Sequence, residues 1–184
     1  MNDKNRQNKT AGKGARSAKE CAYLAVFVAL VIAVQFVLSW VPGAELVTVL
    51  FVSYAFAMGA KRGMLAATAF SLLRQLVFGF FPTVLILYLF YFNILAFLFG
   101  VLGGTEEKKG IWKILLIACL CTVCFTLFDH LLNVVWYGYS GRVAKAYMLA
   151  ALPFMIPQVV CTAVSVGLLF VPLTRLFFRL KKGL

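Results

Sequence analysis

The stretch 127–136, LFDHLLNVVW, places Asp129, His130 (the chain's only histidine) and Asn133 within five residues. An Asp–His pair is equipment for general acid–base catalysis or for passing a proton, because imidazole titrates near neutrality and a carboxylate can orient it. Other chemistry-bearing groups stand isolated in apolar sequence. Glu45 precedes LVTVLFV, Arg74 interrupts SLLRQLVFG, and Asn93 follows Tyr88 and Tyr91 in YLFYFN. What these groups can do depends on the elements that carry them.

Those elements are apolar throughout. The 184 residues are 63% hydrophobic and 13% charged, with mean hydropathy +0.94, whereas soluble domains are about 25% charged. Uncharged runs cover 21–44, 46–60, 63–73, 75–105, 114–128 and 146–174. A helix needs about 20 mostly apolar residues to cross a hydrocarbon core about 30 Å thick. The run 75–105 exceeds one crossing, and Pro82 in GFFPT marks a turn inside it. The expectation is six spans at 21–40, 44–60, 63–80, 83–103, 111–135 and 147–174.

The net charge of +12 is distributed as topology rather than as a nucleic-acid footprint. Lys4, Arg6, Lys9, Lys13, Arg16 and Lys19 precede the first span, Lys61 and Arg62 separate the second and third, and Lys108, Lys109 and Lys113 separate the fourth and fifth. Arg175, Arg179, Lys181 and Lys182 follow the last, while the alternate connections hold only Arg142 and Lys145. This positive-inside bias places both termini in the cytoplasm. The expected fold is therefore all-α: a multi-pass cell-membrane bundle of six transmembrane helices over 20–182, in the lipid bilayer, after a disordered basic tail over 1–19. The first apolar run is too long for a signal-peptide core and lacks an A-x-A site, so it is read as a retained span. Cys21, Cys119, Cys121, Cys124 and Cys161 offer no second ligand pair at metal-site spacing and are read as packing residues.

Ionisable groups inside a membrane are costly and are candidate functional groups by default. At about 1.5 Å of rise per residue, Asp129 lies about 24 Å beyond Lys113, Arg74 about 18 Å beyond Arg62, and Asn93 about 22 Å from Lys108. Glu45, Gln35 and Gln158 come out at similar heights, and the inner halves of the spans carry little comparable. Asp129, Asn133 and Trp136 share a helix face at i, i+4 and i+7, whereas His130 points about 100° away. Glu45, Arg74, Tyr91, Asn93, Asp129, Asn133 and Trp136 are therefore the expected lining of a solute pocket open to the outside. Glu45 and Asp129 would take a cationic group, Arg74 an anion, and Tyr88, Tyr91 and Trp136 a flat ring. The bland alternatives are a structural ion pair of Arg74 with Glu45 or Asp129, belt aromatics at 136–137, and Gln35 and Gln158 bonding neighbouring helices.

Span one carries small residues at every fourth position. Ala25, Ala29 and Ala33 make a smooth ridge that lets another helix approach closely, and packing within the chain is the alternative use. No G-x-x-x-x-G-K-[ST], H-E-x-x-H or G-x-S-x-G motif is present, so no catalytic residue, cofactor or metal is assigned. A binding protein is expected rather than an enzyme.

With its length, its six spans, the A-x-x-x-A pattern of AYLAVFVALVIAVQF and the segment PGAELVTVLFVSYAFAMGAKRGMLAATAFSLLRQLVFGF, the chain resembles the S components of bacterial energy-coupling factor (ECF) transporters over about residues 20–180. The resemblance implies a vitamin-like small-molecule substrate bound near the extracytoplasmic face. It implies docking of a transmembrane T component on Ala25, Ala29 and Ala33, which match the family's docking motif. It also implies two cytoplasmic ATPase subunits and a chain that topples to deliver its cargo. The pocket residues match no family motif and rest on depth alone. The runner-up reading is a stand-alone proton-coupled transporter using Asp129 and His130, and a third is a scaffold without ligand.

Overall fold

The computed structural model describes residues 3–41, 45–103 and 110–183, with side chains from residue 18. Among these residues there are seven helices and no strand: α1 (Asp3–Leu38), α2 (Val47–Met58), α3 (Ala60–Phe78), α4 (Pro82–Leu102), α5 (Ile111–Trp136), α6 (Gly141–Leu149) and α7 (Leu152–Lys182). The breaks follow local chemistry. Gly59 and Gly79 sit at φ +93° and +91°, where a side chain would be strained, and they end α2 and α3. Pro82 opens α4, where its missing N–H removes no helical bond.

Four segments are long and apolar enough to cross a membrane: Ala18–Leu38, Pro82–Leu102, Ile111–Trp136 and Gly141–Lys182. Their outward faces carry large apolar side chains, among them Leu30, Ile94, Leu120 and Leu168, a surface suited to hydrocarbon rather than water.

Two expectations change at this point. The second span, expected over 44–60, is a 12-residue helix, only about 18 Å long. Every one of its residues is buried, so α2 runs inside the bundle, where its ends are covered by protein and need not reach both faces alone. The last span, expected over 147–174, is two helices that break at 150–151 and continue to Lys182. The helix α1 itself begins at Asp3, ahead of the first expected span. An apolar span already past its nucleation cost can propagate helix into an adjoining polar segment.

Alpha-helix α2 is tied to α7 at both ends. The Glu45 N–H donates to Cys161 Sγ at 3.1 Å, and Lys181 Nζ donates to the Ala57 carbonyl at 2.8 Å. The two anchors lie 20 residues apart on α7, about 30 Å of helical rise. The helices run parallel, and the lysine caps carbonyls that would otherwise be orphaned at the α2 C-terminus. Around α2 the core is aromatic: Phe51 lies 4.9 Å from Phe92 and 5.2 Å from Phe70, centroid to centroid, and Phe27 stacks on Tyr54 at 3.9 Å.

A candidate solute-binding cavity

At the end of the bundle opposite Lys181, six segments converge on a cavity of about 320 Å³. The C-terminal part of α1 and the turn after it supply Gln35 and Ser39, the residues before α2 supply Glu45, and α3 supplies Arg74 and Phe78. Tyr88 and Phe92 of α4, Phe125 of α5 and Gln158 of α7 close it.

Arg74 is positioned from three sides. Its Nε donates to Gln35 Oε1 at 3.1 Å, and Gln35 Nε2 donates onward to the Tyr88 hydroxyl at 2.8 Å. The guanidinium carbon lies 4.5 Å from the ring centroids of both Phe78 and Tyr88, within cation–π range. The buried Nη1 nonetheless has no hydrogen-bond partner. Glu45 is held similarly. Its Oε1 accepts from Thr48 at 2.7 Å, while the buried Oε2 has no partner. No ion pair joins the two groups or engages either elsewhere among the described residues. A buried polar atom left without a partner costs about 1–3 kcal/mol, more when charged. The cavity thus presents two such costs, of opposite sign, on one wall system.

Gln158 is the third polar member. Its Oε1 accepts from Thr126 Oγ1 at 2.7 Å, and one turn further Thr122 meets Thr162 at 3.0 Å. This seam of threonines orients Gln158 and fixes α5 against α7 through bonds that persist in a low-dielectric setting.

Of the residues expected in the pocket, Glu45 and Arg74 line the cavity. Tyr91 does not: it is buried in the core beside Phe125 and Phe92, at 4.6 and 5.1 Å. Asn93 is turned to α3, accepting from Thr68 at 3.2 Å and donating to the Leu89 carbonyl at 2.7 Å. Asp129, Asn133 and Trp136 also lie off the cavity lining. Asn133 Nδ2 donates to Asp129 Oδ1 at 3.1 Å, and Trp136 is 53% exposed. For Asn93, one residue past the lining Phe92, the physical reason is azimuth. Residue counting gives height along a helix, and groups at one height can still face different neighbours. On α5, Asp129 follows Thr122 by seven residues and so shares its face, but it lies about one turn beyond Phe125, the α5 residue that lines the cavity. His130 holds its Nδ1 3.0 Å from the Thr126 carbonyl and 4.0 Å from Asp129 Oδ2, with Tyr147 of α6 beside its ring.

Tyr88, expected to offer its ring to a solute, lines the cavity, whereas Gln35 and Gln158 are lining residues that the sequence places at the right height without marking as wall. The available signal was an amide in an otherwise apolar span. It is ambiguous because the same amide serves an interhelical bond, and here both glutamines do both. Asp129→Asn is therefore expected to leave small-molecule binding by the purified chain unchanged within about twofold, as for a substitution outside the site. A titration comparing the two proteins checks this.

The ridge on α1 is placed more simply. Ala25, Ala29 and Ala33 are all exposed, so packing within the described chain does not use them. No protein-family model, no curated protein and no solved structure matches the chain.

Proposed function

We propose that the chain is a substrate-binding membrane subunit of the S-component kind, which captures a vitamin-like solute at the outer face and passes it inward with a T component and two ATPases. The observation that carries this reading is the cavity of about 320 Å³ holding buried, unpartnered atoms of Arg74 and Glu45. That volume falls in the range of small-molecule sites. A charged group with a buried atom left unpartnered is unfavourable to the empty fold and is accounted for when a solute completes it.

The arrangement across the membrane belongs to the same proposal. Lys61, Arg62, Lys113 and Lys181 lie together at the end away from the cavity, so the positive-inside rule turns the cavity outward and both termini to the cytoplasm. Six crossings then comprise α1 to α5 and α7, with α2 sheltered by its neighbours and α3 turning Leu65, Leu72 and Leu76 outward.

The exposed alanine ridge supports the partner half of the reading, since a ridge of small side chains admits a second helix at close range. Ala29→Leu is expected to reduce co-isolation of the T component and ATPases from the host membrane at least about tenfold, the effect of about 1.4 kcal/mol of lost packing. Retention of the solute should be unaffected. Undiminished co-isolation removes the ridge from the interface.

The proton-coupled reading has one observation in its favour: the Asp129–His130 pair, joined through the Thr126 backbone and side chain to Gln158 of the cavity. It predicts uptake abolished by a protonophore and no associated ATPase. Uptake that persists with the gradient collapsed, and stops when ATP is depleted, supports the subunit reading.

A further inference from the structure

The two unpartnered charges define the ligand more narrowly than the cavity's size does. Arg74 and Glu45 are opposite in sign, share one cavity and do not pair with each other. Left empty, each would be relieved by moving toward the other, since a guanidinium and a carboxylate attract strongly in a low dielectric. Both are instead braced where they stand. Gln35 and the Phe78 and Tyr88 rings hold Arg74, and Thr48 together with the Glu45 N–H bond to Cys161 holds Glu45.

We infer that the cavity takes an amphoteric solute, one molecule bearing an anionic group for Arg74 Nη1 and a cationic or strongly donating nitrogen for Glu45 Oε2. The inference rests on the solute-binding reading above. A solute with only an anion would satisfy Arg74 and leave the Glu45 oxygen buried against it without a donor. A simple cation would leave the converse defect. Only a molecule carrying both groups satisfies both atoms, and the discrimination comes from leaving a buried polar atom unpaired with the wrong ligand. The aromatic faces of Phe78 and Tyr88 are already occupied by the guanidinium. Recognition therefore centres on the two charged ends, with Phe92 and Phe125 left for the apolar body between them.

The test uses the full purified chain in detergent and three matched probe series: ω-amino carboxylates from γ-aminobutyrate to ω-aminocaprylate, and the carboxylates and alkylamines of the same lengths. Varying length scans the unknown separation of the two groups. At the best length the amino carboxylate should bind at least about tenfold more tightly than either single-ended probe, since each lost charged contact is worth more than 1.4 kcal/mol. Glu45→Gln should remove the advantage over the plain carboxylate, and Arg74→Gln the advantage over the plain amine. Arg74→Lys keeps the charge without the fork and guards against loss of fold in the glutamine variant. Equal binding of a single-ended probe at every length overturns the inference while leaving a solute-binding protein. Failure of all three series also overturns it. The wider reading is judged separately, by whether any small molecule co-purifies with the wild-type chain.

Discussion

Replacing Arg74 by glutamine is expected to weaken binding of the natural solute roughly 100-fold, about 3 kcal/mol, while the empty protein melts no lower than wild type. The two halves of this result have one cause. Arg74 Nη1 is buried and unpartnered, so the charge is unfavourable to the empty fold and favourable only when an anion completes it. Glutamine removes the charge and its desolvation. It also loses the packing of the guanidinium on Phe78 and Tyr88, each 4.5 Å away, a contribution of about 1–2 kcal/mol that offsets part of the relief. A structural ion pair would behave differently: removing one partner of a buried pair lowers stability by about 3–5 kcal/mol. Parallel melting curves and binding titrations of the two proteins separate the cases. A steep fall in melting temperature with binding retained would make Arg74 a scaffold residue.

The largest effect on folding is expected from Gly100→Leu. A Cβ at Gly100 would overlap the backbone nitrogen and Cα of Ala60, and one at Gly103 would overlap the Phe56 carbonyl. A Cβ at Gly63 would lie 2.9 Å from that of Ala55. These glycines let α4 lie directly on the α2–α3 junction, where Gly59 takes φ +93°. Overpacking against side chains costs about 1–3 kcal/mol because rotamers can move aside; backbone cannot, so about 3 kcal/mol or more is expected here. Against a total stability of about 5–15 kcal/mol, that should abolish most monodisperse protein. Gly167→Ala is the control. Nothing lies within 4 Å of its added methyl, and a glycine inside a helix replaced by alanine gains about 1 kcal/mol at most. Size-exclusion profiles of the two variants read the difference.

Much of the helical layout is legible in the sequence because the bilayer imposes length. The expected spans at 83–103 and 111–135 match α4 and α5 to within one residue, since Pro82 and the lysine-bearing loop mark their ends. The short, wholly buried α2 is not legible. Its apolar residues suit a protein interior as well as lipid, and only its neighbours decide which. For the site, Glu45 and Arg74 stand out because charge in apolar sequence has few uses. Asp129 stands out equally and lies off the lining, about one turn beyond Phe125, because counting from the nearest basic residue fixes height only coarsely. Placing Gln35 and Gln158 also requires the direction each side chain takes around its helix, which depends on the packing of α1 against α3 and of α5 against α7.

The most direct measurement is mass spectrometry of small molecules released from the detergent-purified full chain, taken alongside Arg74→Gln and Asp129→Asn. The expected outcome is one solute enriched in wild type and in Asp129→Asn and depleted in Arg74→Gln. The same solute at equal abundance in all three, or none in any, would contradict a solute site built on Arg74.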